Sequence, residues 1–210
     1  MIPPDTRKDL IVLAADLNMK LAFTHLLKRH HSLGIRPISV DVIIHEHRDP
    51  GVFRDAHNTL QAQCRNYRYS IAVCDREGCG GEHLTREQLE AIIKGNLSIH
   101  WPDRSAAIVI DPELEAWVWT ESNALVQAIG WSGTFSALRD WLQQTGFDFN
   151  GPVKPTKPKE ALERVLRHNQ KKRSSALYGK LSSTVTLTSC TDPAFEKLCK
   201  VLRSWFSPAA

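Results

Sequence analysis

The chain lacks any run of about 18 consecutive apolar residues, the length a membrane-crossing helix needs. Its opening stretch, MIPPDTRKDL, lacks the apolar segment of a secretory leader. No CxxC pair occurs, and five cysteines is an odd number for a disulfide framework. Cys64, Cys74, Cys79, Cys190 and Cys199 therefore read as reduced thiols, and a cytoplasmic protein with no membrane partner is expected. No internal repeat at solenoid periods is visible. A P-loop, a GxSxG elbow and a glycine fingerprint after the first strand are all missing, which excludes three common enzyme readings.

What is present is an ordinary globular balance. The 210 residues are 42% hydrophobic and 24% charged, and six Trp can supply much of a core. The net charge of +4 is mild but segregated. Residues 151–180 hold nine Lys/Arg against two Asp/Glu, so a basic face beside a more acidic remainder is expected.

Apolar runs at residues 10–15, 36–44, 69–74 and 105–110 predict four strands. Segments with helical spacing separate them, at 17–30, 52–66 and 84–97. A long helix is expected from Asp111-Pro112 to about Ile129. Alternation of strand and helix implies a mostly parallel sheet flanked by helices, an α/β fold. Beyond Gly133 the pattern turns helical, with Pro158 in a first helical turn and Asp192-Pro193 as N-cap and N1 of the last helix. The expected organisation is an α/β core over residues 1–132 and a helical cap over 133–210 packed on it. Trp117, Trp119, Trp131, Trp141 and Trp205 are expected to pack that cap.

In a parallel sheet the carboxyl ends of the strands share one edge, where ligands bind. Three of the four predicted strands end in acidic residues: Asp16 after the first, Asp75 and Glu77 after the third, and Asp111 with Glu113 and Glu115 after the fourth. Converging carboxylates repel, so they need a cation or shifted pKa values. All-oxygen ligands suit Mg²⁺ or Mn²⁺. The glycines of DREGCGG permit close backbone approach of a phosphate. Asp16 and Asp111 also fit a purely structural role as helix N-caps, and Glu113 and Glu115 could merely complement a helix start. Lys154, Lys157, Lys159, Lys171, Lys172 and Arg173 could hold a nucleic-acid backbone, or form a solvated helical face. His45 and His47 alternate at a strand end as zinc ligands do, but no third ligand has convincing spacing.

The acidic pattern resembles Toprim domains, in which an acidic residue follows the first strand and a DxD motif follows a later one. Asp16 in LAADLN and Asp75 with Glu77 in VCDREG stand at those places. The chain is more closely similar to small bacterial Toprim-like defence proteins of the RloB-like group. That similarity lies in the DxD-Gly loop, in Pro112-Glu113-Leu114-Glu115-Ala116-Trp117 and in Pro158 to Leu162. The resemblance implies a component of the methylation-associated anti-phage defence system. It implies a Mg²⁺-dependent nuclease or phosphodiester-processing activity, with nucleic acid and other defence proteins as partners, and is compatible with a homo-oligomer. Asp16, Asp75 and Glu77 would be catalytic; Asp75, Glu77 and Asp111 would hold the metal. Two departures stand out: Asp16 replaces the usual Glu, and Glu77 replaces the second Asp. Both keep charge and alter reach. They leave open a second reading, a non-catalytic defence subunit that binds a partner protein or nucleic acid.

Overall fold

A computed structural model describes residues 6–184 and 190–208. Strands β1 (Lys8–Ala14), β2 (Val40–Ile44), β3 (Tyr67–Asp75) and β4 (Ser105–Ile110) form one sheet in the order β2-β1-β3-β4. Every pairing is parallel. The α/β class expected from strand–helix alternation is therefore present. Leu10 to Ala14 and all of β4 are buried, which is why these strands read as unbroken apolar runs.

The helices between strands are α1 (Leu17–Leu26), the short α2 (His30–Leu33), α3 (Arg48–Gln61) and α4 (Arg86–Leu97). From β1 the chain steps one way to β2, then crosses back over β1 to β3 and on to β4. With right-handed crossovers this reversal puts α1 on one face and α3 with α4 on the other. The packing agrees: α3 lies against α4 and β3, and α1 against β1 and β2. The reversal falls between β1 and β3, the place where open parallel sheets form a crevice.

On the outer edge of β4 one backbone amide is taken by a side chain. Glu90 of α4 is buried, and its Oε1 accepts the N–H of Val109 at 3.1 Å. The same carboxylate pairs with Arg86 at 3.4 Å and, through Oε2, with Lys197 at 2.9 Å. Lys197 belongs to α10 (Pro193–Trp205), so one carboxylate ties two helices to the sheet margin.

After β4 the structure departs from the expected long helix over 111–129. Two short helices stand there instead, α5 (Glu115–Val118) and α6 (Asn123–Ile129). Trp119 breaks the run. Its backbone is extended, its ring is buried, and its indole N–H donates to Pro158 O at 2.9 Å. Ser122 then caps α6 by accepting from Leu125 N. The second strand is also shorter than expected. Residues 36–39 lie outside the strand: Arg36 N–H donates to Phe206 O, Pro37 has no N–H, and Ser39 N–H donates to the Asp9 side chain, although Ser39 O still accepts from Leu10 N. The third helix begins at Arg48 and ends at Gln61, earlier at both ends than 52–66. The first expected helix, 17–30, stops at Leu26, and α2 follows until Gly34 ends it at φ 70°.

The remaining elements are α7 (Phe135–Gln144), a minimal hairpin of β5 (Phe149–Asn150) and β6 (Lys154–Pro155), α8 (Pro158–His168) and α9 (Ser175–Thr184). Pro158 and Pro193 open α8 and α10, and Asp192 caps α10 through two backbone amides, as expected. Helix α9 packs along α1, and α10 packs on β4. Trp117 sits between Phe23 and Phe195, and Trp205 stacks on Tyr69 at 4.5 Å. Trp131 and Trp141 pack with each other and with His168, away from the sheet strands. Among the described residues, no helix is long and apolar enough to cross a membrane.

Candidate functional site

The crevice at the carboxyl edge holds a cavity of about 600 Å³. Its walls carry the carboxylates of Asp16, Asp49, Asp75, Glu77, Glu113 and Glu115, together with the cations Arg48, Lys159 and Arg173. Five of these six carboxylates were expected there. They arrive from loops after β1, β3 and β4, as strand-end placement requires.

Each acidic group is fixed differently. Asp16 caps α1, its Oδ1 accepting from Met19 N at 2.9 Å. It is thus both a structural cap and a wall of the cavity. Asp75 ends β3. Its own N–H donates to Asp49 Oδ1 at 2.8 Å, while its Oδ1 is shut off from solvent without a hydrogen-bond partner. Burial raises the Asp75 carboxyl well above its ordinary pKa, and nearby Asp49, Glu115, Glu113 and Asp16 raise it further. Asp49 is also raised, by burial and then by Asp16, although the Asp75 N–H opposes the shift. The loop holding Glu77 is pinned to the one after β4. Arg76 N donates to Ile110 O at 2.8 Å, and Glu77 N to Pro112 O at 2.9 Å.

Glu113 and Glu115 are buried and paired. Glu113 accepts from Lys159 N at 3.2 Å and from Lys159 Nζ at 2.9 Å. Burial raises its pKa and Lys159 opposes that, while the bond to Glu113 raises Lys159. Glu115 accepts from the Arg173 guanidinium and from the Tyr178 hydroxyl. Burial and the neighbouring Glu115 push the Tyr178 phenol far up.

Asp111 does not join this group. It lines a neighbouring cavity with Lys154 and Asp192, and its Oδ1 lies 3.5 Å from Arg76. Arg76 is itself held by Leu84 O and Glu82 O, so it draws Asp111 away from the acidic crevice. Asp49 takes the place that Asp111 was expected to fill. The signal for it was available: HEHRDPG follows a parallel strand, and that strand's end lies on the same edge.

The six cations weighed as holding a nucleic-acid backbone or forming a solvated face have separate roles. Lys159 and Arg173 pair inside the acidic cavity. Lys154 is bound to Asp192 at 2.9 Å. Lys171 donates to Ala128 O at 3.2 Å, near the end of α6. Lys157 and Lys172 remain exposed. The two histidines weighed for zinc also differ: His45 is buried and accepts His47 N–H through Nδ1, while His47 is exposed.

An all-carboxylate donor set with one unpartnered buried oxygen fits a hard divalent cation such as Mg²⁺. Among the described residues, no three acidic, imidazole or thiol groups are already gathered into a coordination set. Glu113 and Glu115 face their own cations instead. Neither a family model, nor a curated protein, nor a solved structure matches this chain.

Proposed function

We propose that the chain is a Toprim-like, divalent-cation-dependent phosphodiester-processing protein, a nuclease in the first instance. The observation that carries this reading is the solvent-closed, unpartnered Oδ1 of Asp75 among four nearby carboxylates at the crevice of a parallel sheet. Asp75 and Glu77 would hold Mg²⁺ or Mn²⁺, with Asp49 beside them. A bound ion of this kind polarises a phosphoryl oxygen and lowers the pKa of water. Asp16, held by its bond to Met19, keeps its second oxygen available as a proton acceptor. Arg48, Lys159 and Arg173 offer positive charge within the same cavity. Exposed Lys157 and Lys172 would steer a polyanion toward it. A role in anti-phage defence, among other defence proteins, is proposed on the sequence resemblance.

The ion-paired Glu113 and Glu115 favour a second reading, a defence subunit that binds nucleic acid or a partner without cleaving. Incubation with labelled DNA and RNA, with Mg²⁺ or EDTA, separates the two. The nuclease reading expects Mg²⁺-dependent cleavage reduced at least about a hundredfold in Asp75→Asn. Binding without cleavage of either substrate would put the second reading in its place.

A further inference from the structure

We propose that Lys159 and Arg173 form a phosphate-ester subsite, held closed by Glu113 and Glu115 and opened when those carboxylates turn toward Asp75 and a shared divalent ion. The inference rests on the cation reading above and adds the group that holds the substrate.

Glu113 spends both oxygens on one residue at the start of α8. Pro158 opens that 11-residue helix, so Lys159 N–H is its first free amide. An anion there meets an amide, an ammonium and the positive end of the helix together. Those are the features that bind a phosphate oxygen, and a carboxylate of the chain fills them. Glu115 does the same at Arg173, a guanidinium whose fork matches phosphate geometry.

Both carboxylates are almost wholly removed from water, at 3% and 2% exposure. Carboxylates buried this deeply need a positive partner facing them. The cavity wall has a formal excess of three negative charges, from six carboxylates and three cations. A phosphate approaching it is therefore repelled, and its two best partners are already engaged. A divalent charge shared by Asp75, Glu113 and Glu115 would change both conditions at once. The carboxylates would gain a new partner, Lys159 would lose its own, and Arg173 would free the nitrogen facing Glu115 while keeping Glu163 at 3.2 Å on the other. The solvent-closed Asp75 Oδ1 in the same cavity is an independent sign of where that charge would sit. Cation and phosphate ester should then bind interdependently, each tightening the other by the same factor.

The test is calorimetric titration of the full chain with thymidine 5′-monophosphate, with and without Mg²⁺. Wild type should bind the nucleotide about tenfold more tightly with Mg²⁺, and the nucleotide should tighten Mg²⁺ equally. Glu113→Gln, which keeps an acceptor for the Lys159 amide, should bind the nucleotide about tenfold more tightly than wild type without Mg²⁺. Lys159→Met should still bind Mg²⁺ and lose the coupling. Circular dichroism checks that both variants fold. A folded Glu113→Gln with no gain in nucleotide affinity overturns the proposal, as does wild type that binds Mg²⁺ without any change in nucleotide affinity. Should Mg²⁺ not bind at all while Glu113→Gln still gains, the cation reading and the opening step fall and the closed subsite stands.

Discussion

Replacing Asp75 by Asn should stabilise the protein at neutral pH in EDTA and abolish its stabilisation by Mg²⁺. The wild-type carboxyl is resisted first by burial and then by Asp49, Glu115, Glu113 and Asp16. Its folded pKa lies above the ordinary 3.8, so the folded state holds this proton more tightly than the unfolded state does. The stability it contributes is fully present below pH 4 and is lost as pH rises through the raised folded value. At neutral pH the Asp75 carboxyl is therefore a cost to the folded state, through its burial and its acidic neighbours. Asn keeps the shape and cannot ionise, and the Asp75 backbone N–H that donates to Asp49 is unaffected. Each unit by which the folded pKa stands above its ordinary value costs about 1.4 kcal/mol at neutral pH, and Asn removes that cost while leaving a polar group in the same place. In a domain of this size each kcal/mol moves Tm by about 2–4 °C. The variant should thus melt at least about 2 °C above wild type in EDTA at pH 7.5, and the gap should close toward pH 4. Mg²⁺ at a hundred times its Kd adds about 2.7 kcal/mol to whichever protein binds it. Wild type should then rise by several degrees while Asp75→Asn stays in place. Thermal melts at two pH values, with EDTA or Mg²⁺, give all the required comparisons. A variant that melts below wild type in EDTA at pH 7.5, or equal Mg²⁺ shifts in both proteins, would refute the reasoning.

Three further outcomes follow from single contacts. Arg36 hydrogen-bonds to Asp9 and holds its pKa at about 2, below the ordinary 3.8, so this contribution is present above pH 4 and lost as pH falls toward 2. Asp9→Asn should cost about 1 kcal/mol by urea denaturation at pH 7 and almost nothing at pH 2. Trp119→Phe leaves Pro158 O without its indole donor and should cost about 1–3 kcal/mol in the same assay, with the α/β circular dichroism spectrum retained. Gly51→Ala would put a methyl carbon 2.2 Å from His45 Nδ1, so it should destabilise by about 1–3 kcal/mol; an unchanged urea midpoint would contradict that packing.

The sheet and most of its acidic edge were legible because both depend on local signals. An apolar run announces a buried strand, and a parallel sheet sends every strand end to one side. That logic placed Asp16, Asp75, Glu77, Glu113 and Glu115 on one cavity. It missed Asp49 only because the loop after β2 was read for its histidines. The other departures depend on partners far along the chain. Trp119 leaves its helix for a carbonyl 39 positions away, and Lys154 is taken by Asp192, 38 positions away. Asp111 sits where a strand-end ligand should, yet the neighbouring Arg76 turns it to another cavity. Counting charges over residues 151–180 gives their sum, whereas a phosphate would meet only the cations left unpaired.

The carboxylate of Glu90 on Val109 N–H also decides how copies of this chain could stack. A sheet that grows by adding strands from other molecules needs an open margin on both sides. On β4 the Val109 amide is already taken by Glu90, itself braced by Lys197, so a strand added there would have to displace that carboxylate, whereas β2 is the opposite edge strand of the sheet. Two molecules joined through β2 would use up both free margins and form a closed pair related by a twofold axis. Elongation into a filament would require the β4 side as well. Glu90→Ala should remove that block, and light scattering of the concentrated variant against wild type would reveal whether growth begins.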